Sequence, residues 1–473
     1  MGKSIIWFLT TILFVGCTAR PTNILGRVEC DGQGIGGVVV NDGYHFTQTD
    51  SQGCYTLSTA DAARTVAISV PAGYVVASNG SIPLLYHPLK GGHTTYNFEL
   101  MRNTNDDMRH TFVVTADVQL TSMEELELFK PVVEDIRQTV ESVEEEHFGI
   151  DLGDIVGDSQ WLYPVYLKVV DKVGIPFFRA IGNHDMDYYG ECHETSYTTF
   201  EQQFAPACYS FNKGKAHYIV IDNNFFLGRD YNYIGYYDQT TLNWIRNDLS
   251  YVPKGSLLFI AEHIPSRLTV ESRPFEFSFG AMADQTVNAE SLYRIIENYD
   301  THILSGHMHY NLNIVHNDKL FEHNTGAVCG TWWKGDICLD GTPRGYGVYS
   351  VDGNRVEWYF KSVAEPKTYQ LRSYGVGACQ QYPEAIVANV WNWDPDWVVE
   401  WSEDGKIMGQ MERFTGYDPE AFALCSDRGK VVYDWISPFE TEHLFYAVPR
   451  SKSAELAIRA TDRFGRVYTS KIE

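Results

Sequence analysis

Basic residues are scarce in this chain: 37 Lys and Arg stand against 61 Asp and Glu, giving a formal net charge of −24. That balance excludes partners that need basic patches, nucleic acid and anionic membrane surfaces among them. It also means that the field of the whole protein repels anions. Long hydrophobic runs are missing too. The run from Ile5 to Val15 is too short for a bilayer, which takes about 20 residues of helix, and suits the apolar centre of an export signal behind Lys3. Cys-x-x-Cys pairs are absent, which removes the usual spacing of a cysteine-based zinc site. With 21% charged, 44% hydrophobic and 14% aromatic residues, the composition is globular rather than disordered.

What is present is a series of apolar runs, each followed at once by residues able to hold a metal. Thr111 to Thr115 leads to Asp117 and Gln119. Phe148 to Leu152 leads to Gly153-Asp154-Ile155-Val156-Gly157-Asp158. Phe177 to Ile181 leads to Gly182-Asn183-His184-Asp185. Leu257 to Ala261 leads to His263, and His302 to Ser305 leads to Gly306-His307-Met308-His309. Short apolar runs of this kind predict buried strands. Open α/β sheets place their ligands beyond the carboxyl ends of such strands. Any one of these blocks taken alone is an ordinary turn. Their recurrence at successive strand ends assembles carboxylate, amide and imidazole donors, a mixture suited to Mn, Fe or Zn, with Mg as a further candidate.

The order Asp-x-(His or Gln), Gly-Asp, Gly-Asn-His-Asp, His, Gly-His-x-His resembles the calcineurin-like metallophosphoesterase superfamily, over roughly Met108 to Lys361. The resemblance implies an α/β/β/α sandwich holding two divalent metal ions. Asp154 would bridge them. Asp117 and His309 would complete one site; Asn183, His263 and His307 would complete the other. It further implies a metal-activated hydroxide that attacks phosphorus, with His184 stabilising the transition state or protonating the leaving oxygen. A carboxylate usually orients such a histidine, and Asp158 and Asp185 are both candidates. Gln119 departs from the pattern, in which most members carry histidine. It leaves a rival reading open: an envelope-anchored binding protein whose phosphatase domain has lost turnover.

The flanks read as β-rich domains, so the expected organisation is 1–21 signal, 22–102 N-terminal β-sandwich, 108–362 catalytic domain and 363–473 C-terminal β domain. Gly16-Cys17 resembles a bacterial lipoprotein cleavage site with Cys17 lipidated, a plain secretory signal being the alternative. Either implies an exported protein of the cell envelope, in contact with membrane only through its anchor and acting on a small or envelope-borne phosphate ester. In an oxidising compartment, Cys30 with Cys54 and Cys192 with Cys208 are the local disulfide candidates, against free buried thiols. Helices are expected over Pro131–Glu146, Tyr163–Val173, Thr240–Leu249 and Ala289–Tyr299, with Glu144 to Glu146 as a solvated helix face. Arg267, Arg273, Tyr236 and Trp332 are candidate substrate contacts, on loops whose simpler role is to pack on their own domain. Trp391, Trp393, Trp397 and Trp401 are expected in a core.

Overall fold

The structure, a computed structural model, describes residues 23–431, 433, 435–451 and 453–472. Cys17 and the export segment lie outside these residues. The catalytic region folds as two sheets packed face to face. The first contains β1 (Arg109–Thr115), β2 (Glu146–Asp151) and β3 (Phe177–Arg179). The second contains β4 (Tyr209–Lys213), β5 (Ala216–Val220), β6 (Leu257–Ala261), β7 (Asp300–Ser305), β8 (Leu312–Asn317) and β9 (Leu320–Asn324). β10 (Gly345–Asp352) and β11 (Arg355–Ser362) return to the first sheet. Strand order is β3-β2-β1-β10-β11 in one and β4-β5-β6-β7-β9-β8 in the other. β1, β2 and β3 run parallel, as do β5, β6, β7 and β9. Parallel pairing brings the carboxyl ends of neighbouring strands to a common edge, and that edge carries every ligand block.

Aromatic rings bind the two sheets together. Phe112 in β1 stacks on Phe148 and Tyr349, with ring centroids 5.2 and 5.0 Å away, and meets Phe259 of the second sheet edge-on at 5.1 Å. It is fully buried. Phe112→Ala should lower the free energy of unfolding by about 3–5 kcal/mol through the cavity it leaves, measured as a shift in the denaturant midpoint.

Helices cover the outer faces. α1 (Met123–Glu141) and α2 (Tyr163–Val170) pack Phe129, Val133, Ile136 and Val169 on the first sheet. α3 (Gln239–Leu249) and α4 (Ala289–Ile296) pack Trp244, Ile245, Leu292 and Ile296 on the second. The layers are therefore α/β/β/α. α1 begins eight residues before the expected Pro131. Ser122 caps it, its Oγ accepting from Glu125 N at 3.3 Å, while the Glu125 carboxylate accepts from Thr121 N at 2.7 Å. The Ser-x-x-Glu pattern is a start signal, and Pro131 is carried inside the helix on its exposed face. Glu146 is not on a helix at all. It opens β2 and forms an ion pair with the buried Lys213.

The N-terminal domain is a five-stranded and a four-stranded sheet with a two-stranded ribbon, seated on the free edge of β4: Asn212 N donates to Val70 O at 2.8 Å. Burying an edge strand in this way removes a site for unwanted pairing. Tyr86 donates to Glu201 O at 2.8 Å, and Trp244 Nε1 donates to Asn41 at 3.2 Å across the same seam. The C-terminal domain is a pair of four-stranded sheets. Trp391, Trp397 and Trp401 are buried in it and Trp393 packs against its core.

The cysteines from Cys30 to Cys425 are free thiols, so the Cys30–Cys54 and Cys192–Cys208 pairings are not formed. Strand register sets Cys54 opposite Arg27 and Cys30 opposite Gln33. Cys192 is exposed, whereas Cys208 packs against the core beneath α3.

Candidate active site

Asp117, Asp154, Asn183, His263 and the His307–His309 pair follow β1, β2, β3, β6 and β7 within a few residues. The chain must turn sharply there to aim side chains back over the sheet edge. Asp117, Gln119, Asp154, Asp158, His307 and His309 accordingly hold φ between 43° and 73°. Such backbone costs of order 1–3 kcal/mol per residue and persists only where the surroundings over-determine it. Glycine makes the close approach possible. A Cβ on Gly182 would lie 2.1 Å from Asp154 N and 2.2 Å from its Oδ1, which accounts for the glycine that opens Gly182-Asn183-His184-Asp185.

The donors form two groups about Asp154. On one side, His263 Nε2 lies 3.3 Å from Asp154 Oδ2, 3.0 Å from Asn183 Oδ1 and 3.2 Å from His307 Nδ1. Asp154, His263 and His307 offer ligand atoms within 4.8 Å of one another. On the other side, His309 Nε2 lies 3.6 Å from Asp117 Oδ1. Both of those atoms are buried and without a hydrogen-bond partner. Unpartnered buried polar atoms are costly, and a cation between them would satisfy both. The tautomers agree: His263 Nδ1 is 2.8 Å from Leu152 O and His309 Nδ1 is 3.0 Å from Gly330 O. Each carbonyl accepts the Nδ1–H and leaves Nε2 facing the site. At His263, burial opposes a charged ring, but Asp154 outweighs it and raises the pKa to about 9, so Nε2 there holds a proton that a cation would displace. These residues fit divalent metal ions.

Charge is arranged to match. Burial alone would raise the Asp154 pKa, but His263 and His184 hold it far below the usual carboxylate range. Burial pushes Asp117 the other way, upward. Burial lowers His307 to about 3 and His309 to about 4, keeping both neutral, the form in which imidazole binds a metal. For His184, enclosure works against a charged ring; Asp154 and then Asp158 outweigh it and raise the pKa to about 9.

The structure separates the two carboxylates proposed to orient His184. Asp158 Oδ1 is 2.9 Å from His184 Nδ1. Asp185 instead accepts from Gly182 N at 3.0 Å, Ile155 N at 3.2 Å and Tyr163 Oη at 2.9 Å. It fastens the loop after β3 to the loop after β2. Gln119 donates Nε2 to Asp154 Oδ2 at 2.9 Å. Trp332 stacks on His309 with centroids 4.0 Å apart. Tyr236 packs on Phe225 at 5.6 Å, and Arg273 is exposed beside Glu271. Arg267 Nη2 reaches Ser272 Oγ at 3.5 Å. Among the described residues, the partners of those three are their own loop neighbours rather than the donors about Asp154.

Other residues join these at the site. Tyr233 stands edge-on to His307 at 6.0 Å, and Tyr188 donates to Asn183 O at 2.7 Å. Trp435, from the C-terminal domain, meets Trp332 edge-on at 4.5 Å. Asn223 and Asn224 brace the backbone at Ile264 and Ile181, beside His263 and Asn183. The cluster of tyrosines between 231 and 237 was a signal for Tyr233. Nothing local marks Trp435.

Three family models match in succession: the N terminal of calcineurin-like phosphoesterase over residues 22–103, calcineurin-like phosphoesterase over 110–311, and the C terminal of calcineurin-like phosphoesterase over 322–468. The chain belongs to the calcineurin-like phosphoesterases. As a phosphoesterase it is a hydrolase that works with divalent metal ions. Similar solved structures include a dimetal phosphatase from Danio rerio, at 14% identity over 54% of this chain and 97% of that one, with a TM-score of 0.38. A purple acid phosphatase from yellow lupin (Lupinus luteus) seeds matches at 12% identity over 73% of this chain and 68% of that one, with a TM-score of 0.41. A 5'-nucleotidase from Candida albicans matches at 14% identity over 55% and 51%, with a TM-score of 0.31. No curated protein matches the sequence.

Proposed function

We propose that this phosphoesterase hydrolyses a phosphomonoester or phosphodiester with two divalent cations, outside the cytoplasm. The observation that carries the reading is the division of donors about Asp154, with Asn183, His263 and His307 on one side and the unpartnered Asp117 Oδ1 and His309 Nε2 on the other. Divalent cations held by these residues would supply charge stabilisation and activate water at neutral pH. The chain's own part is to fix those donors and to protonate the leaving oxygen. His184 is the group we assign to the second task; the contact of its Nδ1 with Asp158, which leaves Nε2 as the reactive nitrogen, supports it. Trp332 and Tyr233 flank the two groups of ligands and offer aromatic faces to the organic part of the ester.

Export rests on the apolar segment before Cys17, with lipidation of Cys17 as the anchor. The substrate is then a small or envelope-borne phosphate ester. Mn, Fe and Zn suit the mixed donor set, with Mg a further candidate. Turnover of p-nitrophenyl phosphate and bis-p-nitrophenyl phosphate, measured with added Mn, Zn, Mg or chelator, tests the reading alongside metal analysis of the same sample. Metal-dependent hydrolysis is expected, abolished by chelator and restored by metal. Two bound metals with no turnover on either ester would point to a specific substrate that must fill the site, whereas no turnover and no bound metal would favour the binding-protein alternative.

A further inference from the structure

Gln119 stands where most family members carry histidine, and an amide can offer a cation only its oxygen. In the structure it is the nitrogen that faces the site: Nε2 lies 2.9 Å from Asp154 Oδ2. Oε1 points the other way, toward Cys329, whose Sγ is 4.0 Å from it. A half-turn of the amide exchanges these two atoms without changing its shape. The carbonyl oxygen then lies beside Asp154, where a ligand to the first cation belongs, and the NH2 group faces Cys329.

Whether that turn is tolerated depends on the group behind the amide, because water has little access. Gln119 is 4% exposed and Cys329 is 0% exposed. A thiol can serve both orientations. Its S–H donates to Oε1 in the arrangement seen, and its sulfur accepts from Nε2 after the turn. An apolar side chain would leave a buried N–H unpaired, a penalty comparable to a lost hydrogen bond. Cys329 is also fixed against the other members of this site. Its backbone N donates to Asp117 O at 3.1 Å, and its Sγ lies 3.7 Å from both His309 Nδ1 and Gly330 O.

We propose that Cys329 is a positioning residue that holds the Gln119 carbonyl oxygen toward the first cation site. The pair does the work that one histidine does in most relatives. This rests on the metal-dependent reading above, and its test is metal affinity rather than turnover. Mn2+ is titrated calorimetrically into chelator-stripped protein. Cys329→Ala is expected to weaken binding about threefold to tenfold, the range for one buried hydrogen bond, and Cys329→Ser to restore most of it. In a Gln119→His background the alanine change should have no effect, since imidazole needs no such partner. Cys329→Val, matched more closely in size, replaces the alanine variant if that one does not fold. An unchanged isotherm in Cys329→Ala, or an equal loss in the Gln119→His background, would overturn the role of Cys329. Absence of Mn2+ binding by the wild-type protein would overturn the metal-dependent reading and this role together.

Discussion

Replacing Asp154 with alanine is expected to remove metal and activity together. Asp154 is 1% exposed and sits at the meeting point of both groups of donors. Oδ1 accepts from His184 N at 2.8 Å, while Oδ2 faces His263 Nε2 at 3.3 Å and Gln119 Nε2 at 2.9 Å. Without the carboxylate, the anionic donor shared by both groups is lost, and His263, His307 and His309 are left with Asp117 as their remaining acidic neighbour. The turnover loss should be about 10³-fold or more, since metal chemistry supplies several kcal/mol of transition-state stabilisation. Bound metal, measured by elemental analysis after desalting, should fall in step. Full occupancy in the variant would refute the bridging role. The left-handed backbone at Asp154, φ 54°, sharpens the test. Asp154→Asn tolerates that backbone as well as aspartate does, so it separates loss of charge from loss of shape and should show the same metal deficit.

His184→Ala is expected to give the opposite separation, with metal retained and turnover lost. The ring hydrogen-bonds to Asp158 rather than to one of the donors about Asp154, and about a third of it is exposed (35%). General acid catalysis contributes typically 10²–10⁴-fold, and the rate should fall by that amount with metal content unchanged. Unchanged turnover would remove His184 from the mechanism. Asp158→Asn is the finer probe. The Asp154 and Asp158 carboxylates together outweigh enclosure and hold the His184 pKa above its ordinary value. An acid must be protonated to act, so activity that depends on it is present below that pKa and lost as pH rises through it. Removing the Asp158 charge should move this alkaline limb to lower pH, a displacement read directly from the rate–pH profile. Asp185→Asn should not move the limb, because its carboxylate serves backbone amides and Tyr163; its effect should appear in stability.

The strand-end blocks were legible because each is local. An apolar run specifies a buried strand, and the residue just beyond it is delivered to the sheet edge whatever the rest of the chain does. That reasoning reached Asp117, Asp154, Asn183, His263, His307 and His309 without knowing how the sheets face each other. The layered α/β architecture followed from the same alternation of runs. Where α1 begins was misplaced because Pro131 is a strong punctuator in sequence, whereas the Ser122–Glu125 cap is a weaker signal that packing by Leu126 and Phe129 makes decisive. The Cys30–Cys54 pairing failed because sequence proximity says nothing of register, where one residue of offset sends a side chain to the other face; the Cys192–Cys208 pairing failed because Cys192 is exposed while Cys208 packs against the core beneath α3.

By itself, then, the sequence determined which donors the chain carries and at which strand ends they emerge, since period and composition act over a few residues. Only the tertiary structure decided how they are shared. It assigned Asp158 rather than Asp185 to His184, set Cys329 behind Gln119, and brought Trp435 from the C-terminal domain against Trp332. Each of these contacts joins segments with no local pattern in common. They are fixed when two sheets close on the aromatic layer around Phe112 and the flanking domains dock on its edges, a global event that no short window of sequence records.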